Sequence, residues 1–367
     1  MDRRSFIHSS LAALAPPRER AEALDASLIG ANTAISGYSL AEAIGLLHRL
    51  VFFTIEIHIM GSLLPNPGQF PGFQFDRLTR KEKQAIAGSL RGFRHLSTHL
   101  PYTHLNFFAS DETVARASVR EIEIALEATA YFGAELAVIH ALPASGFTPD
   151  EVWPVTVRRL REWGDRARKG GFRLAVETGY PKSVRAFVRL IEEIDHPSVG
   201  CAIDVGHQSG YQELLDRVSA EQRSTAYGIR AYNDTTLAII EQLGGKVFHL
   251  HVHDIDPQTW KEHQPIGTGF VDYLRLVGKL RDIDYRGLLV LEIAAPAPEM
   301  PARLAESKLR LERFLSRAVC NRNQICAPEG GPAGRGTTDR DGRLVNTGPT
   351  HGRVDPPRPV ETVRRLR

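Results

Sequence analysis

The sequence has little cysteine, three residues in 367. Cys201, Cys320 and Cys326 cannot build the paired framework of a disulfide-stapled secreted domain, so the fold must rest on buried apolar area. Long hydrophobic runs are missing too. Charge breaks the best apolar stretches within about ten residues, well short of the roughly 20 that a membrane-spanning helix needs, so no membrane partner is expected. No GxGxxG or P-loop pattern follows the first candidate strand, where Gly30-Ala31-Asn32 leads on to Ser36-Gly37, which argues against an open nucleotide-binding sheet. The body of the chain also lacks excess positive charge. The formal net charge is +3, but residues 319–367 hold nine Arg against five acids, which leaves residues 26–318 close to −1. A duplex-binding protein normally displaces phosphate counterions with a basic face, so nucleic acid is not expected as a partner.

What remains is an ordinary globular composition, 42% apolar and 24% charged. Residues 1–25 begin Met-Asp-Arg3-Arg4-Ser5-Phe6-Ile7 and resemble a degenerate twin-arginine signal, with a short apolar run interrupted by His8 and followed by Pro16-Pro17. A cytoplasmic protein is expected, with export as the alternative. From about residue 319 the chain carries seven Gly, six Pro and no aromatic residue, a composition that cannot offset ordering entropy and predicts a disordered tail. Between these ends, β-branched runs alternate with amphipathic segments. Strands are predicted at 27–32, 52–59, 95–100, 135–140, 172–178, 199–204, 247–253 and 287–293. Helices are predicted at 39–49, 79–91, 111–132, 150–169, 182–194, 229–243, 270–282 and 301–317. Eight βα units over residues 26–318 predict an α/β fold, a (β/α)8 TIM barrel.

Metal-capable side chains fall at the ends of the predicted strands from the third to the eighth: His99, His140, Glu177, Asp204 with His207, His251 and Glu292. Their successive gaps of 41, 37, 27, 47 and 41 residues are about one βα unit each. In a closed barrel the C-terminal strand ends share one rim, so these distant residues are expected in one pocket. Glu177, Asp204, His251 and Glu292 offer three carboxylates and one imidazole, a hard set suited to Mn²⁺, Mg²⁺, Co²⁺ or Zn²⁺. Cys201 has the opposite strand parity to Asp204 and is expected in the wall. His99, His140, His207 and His263 are read either as substrate-hydroxyl ligands or as holders of a second or third ion.

Several motifs together resemble the xylose isomerase-like TIM barrel superfamily, which joins sugar and sugar phosphate isomerases and epimerases with the endonuclease IV nucleases. They are His99-Leu-Pro-Tyr102, Asn106 with Ser110-Asp111-Glu112, Ala130-Tyr-Phe-Gly133 running on to His140, Val176-Glu177-Thr178, Asp204-Val-Gly-His207, His249-Leu-His251-Val-His-Asp254, His263-Gln-Pro-Ile-Gly267-Thr-Gly269 with Asp272, and Leu291-Glu292. The likeness covers about residues 26–317. Its epimerase-like pattern implies one divalent metal on Glu177, Asp204, His251 and Glu292, proton transfer by Glu177 and Glu292, and substrate binding by His207. Its nuclease-like pattern implies a second metal on His99 and His140 and a third on His207 and His263. The nuclease pattern has an aspartate two residues before the histidine matching His263, and this chain has Lys261 there, a cation that would repel a third zinc.

The expected activity is that of a metal-dependent sugar or sugar phosphate isomerase or epimerase, removing a proton next to a carbonyl through a metal-stabilised enediolate. A zinc phosphodiesterase and a metal-dependent lyase or dehydratase are the alternatives. The expected partner is a small carbohydrate, with homo-oligomerisation left open. Glu56 and His58 share the inward parity of the second strand and point either to substrate or to a salt-bridged interior. Tyr102 joins the substrate-binding candidates. Trp260 is read as a cover for a sugar face or an exposed loop aromatic, and Lys261 as a counter-charge to a substrate phosphate or carboxylate.

Overall fold

The computed structural model describes residues 24–63, 72–109, 111–144 and 146–317. The twin-arginine-like start, the Arg-rich tail with Cys320 and Cys326, and residues 64–71 after the second strand lie outside these residues. Among the described residues no helix is long and apolar enough to cross a membrane.

The eight strands are β1 (Ile29–Asn32), β2 (Thr54–His58), β3 (His95–His99), β4 (Leu136–His140), β5 (Arg173–Glu177), β6 (Val199–Asp204), β7 (Val247–Val252) and β8 (Leu288–Leu291). They pair in chain order, all parallel, and β8 returns to β1 to close the ring. Around them lie α1 (Leu40–Arg49), α2 (Arg80–Ser89), α3 (Glu112–Phe132), α4 (Pro149–Gly170), α5 (Val184–Ile194), the one-turn α6 (Gln212–Leu215), α7 (Ala226–Leu243), α8 (Tyr273–Asp282) and α9 (Met300–Arg317). The predicted (β/α)8 barrel is therefore the observed fold.

Local chemistry sets the helix limits. Ser39 with Glu42, Thr79 with Glu82 and Thr148 with Glu151 form reciprocal capping boxes that satisfy exposed amides at the starts of α1, α2 and α4. Gly133 and Gly171 end α3 and α4 in the left-handed region, at φ 70° and 79°. The predicted helix at 270–282 begins later, at Tyr273, because Asp272 accepts from the Arg275 amide at 3.1 Å and caps it there. The predicted helix at 229–243 begins earlier, at Ala226, behind the Thr225 cap. The short α6 had no counterpart in the predicted elements.

Strand alternation produces two apolar layers. Outward side chains such as Ile55, Ile57, Ile139, Leu174, Val176, Ile203 and Leu250 join the helices in one large cluster, and Cys201 belongs to it. A small interior cluster of Leu136, Val138, Ala175, Ala202 and Phe248 plugs one side of the barrel. The register between β6 and β7 shifts at Cys201/Ala202, which pair with Val247 and His249. This leaves Phe248 as an extra residue, a bulge that lets both Phe248 and His249 serve the interior. Past it, Ala202, Ile203 and Asp204 pair with His249, Leu250 and His251.

Candidate active site

The parallel register brings the strand-end side chains level: His58 pairs with His99, His140 with Glu177, and Asp204 with His251. One donor atom from each of Glu177, Asp204, His251 and Glu292 lies within 4.8 Å of all the others. His251 Nδ1 is 2.7 Å from Glu177 Oε1, 3.2 Å from Glu292 Oε2 and 3.9 Å from Asp204 Oδ2. Glu177, Asp204 and His251 are buried, while the Glu292 side chain is 26% exposed and opens the group to solvent.

The histidines stand around this group. His140 Nε2 is 2.7 Å and His99 Nε2 is 3.4 Å from Glu177 Oε2. His207 Nδ1 meets the Thr178 carbonyl at 2.6 Å, and His263 Nδ1 meets the Glu292 carbonyl at 2.9 Å. A carbonyl only accepts, so both rings donate from Nδ1 and turn Nε2 to the pocket. His263 reaches its place from a left-handed backbone, φ 61°, which is uncommon outside glycine.

The carboxylates and imidazoles of the site shift one another. Burial alone would raise the Glu177 carboxyl, but the imidazoles of His140 and His251 outweigh it and hold the group well below the usual carboxylate range. Asp204 is likewise lowered against its burial, by His207 and His253. Burial would lower His251, yet the carboxylates of Glu177, Glu56 and Glu292 push it well above its ordinary value. His207 rises to about 9, its burial outweighed by Asp204 and Glu177. A potential that draws protons onto buried imidazoles also draws a divalent cation.

The donor set passes a test of fit for such a cation. Asp204 Oδ2 is a buried oxygen without a hydrogen-bond donor, a condition that native interiors avoid unless something else supplies the partner.

Three neighbours were not singled out as site residues from the sequence. His249 on β7 and His253 just past its end stand in step with His251, and this period-two alternation of histidines was the available signal. His253 Nε2 is 3.1 Å from Asp204 Oδ1. Glu262, beside His263 in the chain, has Oε1 3.7 Å from His263 Nε2 and groups with His207 and His263. Lys261 is exposed, and its neighbour Glu262 brings a carboxylate to His207 and His263. Glu56 proves to be a wholly buried interior group, not a pocket residue, in contact with His249 and His251.

Tyr102 lies at the rim, 43% exposed, its ring 4.7 Å from that of His140 and 5.4 Å from that of His99. Trp260 is a correction. It is neither a cover nor exposed: only 4% accessible, it packs edge-on against Tyr232 and donates Nε1–H to the Arg223 carbonyl at 3.1 Å, so it belongs to the core beneath the loop.

The barrel is similar in fold to the D-tagatose 3-epimerase-like protein, at TM-score 0.58 and 19% identity, with 79% of this chain and 97% of that one covered. It is also similar to the D-psicose 3-epimerase of Clostridium cellulolyticum H10 solved with D-tagatose, at TM-score 0.57 and 14% identity, with 78% and 99% covered. In sequence it is 22% identical over 209 residues to the uncharacterized protein MJ1311 of Methanocaldococcus jannaschii. That match takes in 53% of this chain and 62% of the relative's length. The family profile described as Xylose isomerase-like TIM barrel matches residues 47–313, well over half of the sequence. With the closed parallel barrel it fits, this places the chain in the xylose isomerase-like TIM barrel family.

Proposed function

We propose that the protein is a divalent-metal-dependent sugar or sugar phosphate isomerase or epimerase that moves a proton at the carbon next to a carbonyl. The observation that carries this reading is the convergence of Glu177, Asp204, His251 and Glu292 within 4.8 Å at the mouth of the barrel. Three carboxylates and one imidazole suit Mn²⁺, Mg²⁺, Co²⁺ or Zn²⁺. When bound, the cation supplies a Lewis acid and a template for the carbonyl and its neighbouring hydroxyl. The protein's own share is proton transfer and orientation. Glu177 ends β5 and Glu292 directly follows β8, three strands apart around the ring, so two carboxylates approach the substrate from different sides. One takes the proton and the other returns one. His99, His140 and His207 present ring nitrogens to substrate hydroxyls, and the exposed Tyr102 lies where a sugar enters.

The test is a panel of ketoses and ketose phosphates in D₂O, with metal analysis of the purified protein. We expect a single cation per chain, chelator-sensitive turnover, and deuterium at the carbon next to the carbonyl. A product lighter by one water identifies a dehydratase instead. Glu262 favours a second reading, a zinc phosphodiesterase, because with His207 and His263 it makes a further carboxylate-imidazole group. Three zinc ions per chain with incision of an abasic-site duplex would replace the isomerase reading.

A further inference from the structure

Four of the imidazoles around the candidate metal position, His99, His207, His263 and His251, divide into two kinds. His99 donates Nδ1–H to the Leu100 carbonyl at 3.0 Å, His207 to Thr178 and His263 to Glu292, so all three show Nε2 to the pocket. His251 is reversed. Its Nδ1 faces Glu177, Glu292 and Asp204, while Nε2 lies 2.9 Å from Glu56 Oε1. The group behind this ring is therefore a carboxylate with no accessible surface, carried on β2, instead of a main-chain carbonyl.

Glu56 is itself hydrogen-bonded from two strands and approached from a third. Asn32 Nδ2 on β1 donates to Oε1 at 2.8 Å, Ser97 Oγ on β3 donates to Oε2 at 2.9 Å, and His249 Nε2 on β7 lies 3.1 Å from Oε2. A carboxylate so tied cannot rotate without breaking several buried contacts, and an ionised one only accepts, so it fixes which nitrogen of His251 bears the inward proton.

We propose that Glu56 is a positioning residue: it accepts the Nε2–H of His251 and thereby presents Nδ1 to the cation held with Glu177, Asp204 and Glu292. The proposal rests on the metal reading given above. It adds a residue that touches neither the cation nor the substrate but governs the one imidazole ligand.

The test compares Glu56→Ala with Glu56→Gln, whose amide oxygen still accepts. Manganese is titrated calorimetrically into each stripped protein, with circular dichroism as the check on folding. Ring ¹⁵N spectra of histidine-labelled protein are recorded metal-free and with zinc, and His251→Ala identifies the His251 signals. We expect Glu56→Ala to lose about 10- to 100-fold in affinity and Glu56→Gln to keep most of it. With zinc bound, His251 should carry its proton on Nε2. If the alanine variant does not fold, Glu56→Asp, with its carboxylate withdrawn by one methylene, should show the loss. Unchanged affinity in the folded variants, an equal loss in Glu56→Ala and Glu56→Gln, or zinc on Nε2 of His251 overturns the proposal. The last result would move the ion inward, onto Glu56, His249 and His251. Should the unmodified protein take up no manganese, the metal reading fails. The metal-free spectra still decide on Glu56: a slowly exchanging Nε2 proton that Glu56→Ala loses supports it, and one that is unaffected overturns it.

Discussion

His263 brackets Glu292 from the neighbouring loop. Its Nδ1 donates to the Glu292 carbonyl at 2.9 Å, and its own carbonyl accepts from the Ala294 amide at 2.7 Å. The segment that carries the Glu292 carboxylate past the end of β8 is thus held by the β7–α8 loop. His263→Ala should let that carboxylate drift. A misplacement of about 1 Å can cost roughly 10²-fold in rate, so we expect a fall of that order in kcat/KM with little change in Tm. Full activity in the folded variant would show that the bracket does not position Glu292.

The two proposed proton-transfer groups are tested by Glu177→Gln and Glu292→Gln. General acid–base groups typically contribute about 10²–10⁴-fold, so each variant should lose at least that much turnover while its circular dichroism spectrum survives. Turnover retained in either purified variant removes that residue from the chemistry.

Cation binding should be visible as stability. A ligand that binds only the folded chain adds about 2.7 kcal/mol at a hundredfold excess over its Kd. Manganese should raise Tm and a chelator should reverse it. In Asp204→Ala, which removes one of the four converging donors, most of the shift should vanish. An equal shift in that variant places the ion elsewhere.

Trp260 should behave as a core residue. Replacing a buried tryptophan by alanine typically costs about 3–5 kcal/mol, so Trp260→Ala should lower Tm sharply, while Trp260→Phe recovers part of it. A variant with unchanged Tm and a raised KM would instead restore the sugar-covering role.

Cys201 is enclosed among outward strand side chains and helices, and burial pushes its thiol well above the ordinary range. A raised thiol pKa favours the protonated form, so at about pH 8.5, where a free cysteine is half thiolate, native Cys201 should resist iodoacetamide. Peptide mapping should find it alkylated only after denaturation. The same sign predicts that its contribution to stability, complete below the ordinary thiol pKa, falls as pH rises beyond that value, because only the unfolded chain then ionises.

Much of the site could be read along the chain because barrel closure turns sequence period into spatial coincidence. His99, His140, Glu177, Asp204 and Glu292 each stand at or just past a strand end, and a ring of parallel strands has only one C-terminal rim. Trp260 was misread because a loop aromatic looks exposed until the second layer beneath it, Tyr232 and Phe270, is known. Glu262 was missed because the resemblance directed attention to position 261, and in an irregular loop adjacent residues have no fixed parity.

The sequence alone determined the alternation of elements, which follows from local periodicity and capping, and the types of donor at the strand ends, while the closed ring was an expectation from eight βα units without a phosphate-loop pattern. Only the tertiary structure decided which nitrogen each imidazole turns to the pocket and that Glu56 stands behind His251 while Trp260 lies beneath its loop. Those outcomes depend on contacts such as the 2.9 Å approach of Glu56 to His251 across 195 positions of chain. No local pattern encodes such contacts; strand register, the β7 bulge and side-chain packing fix them together.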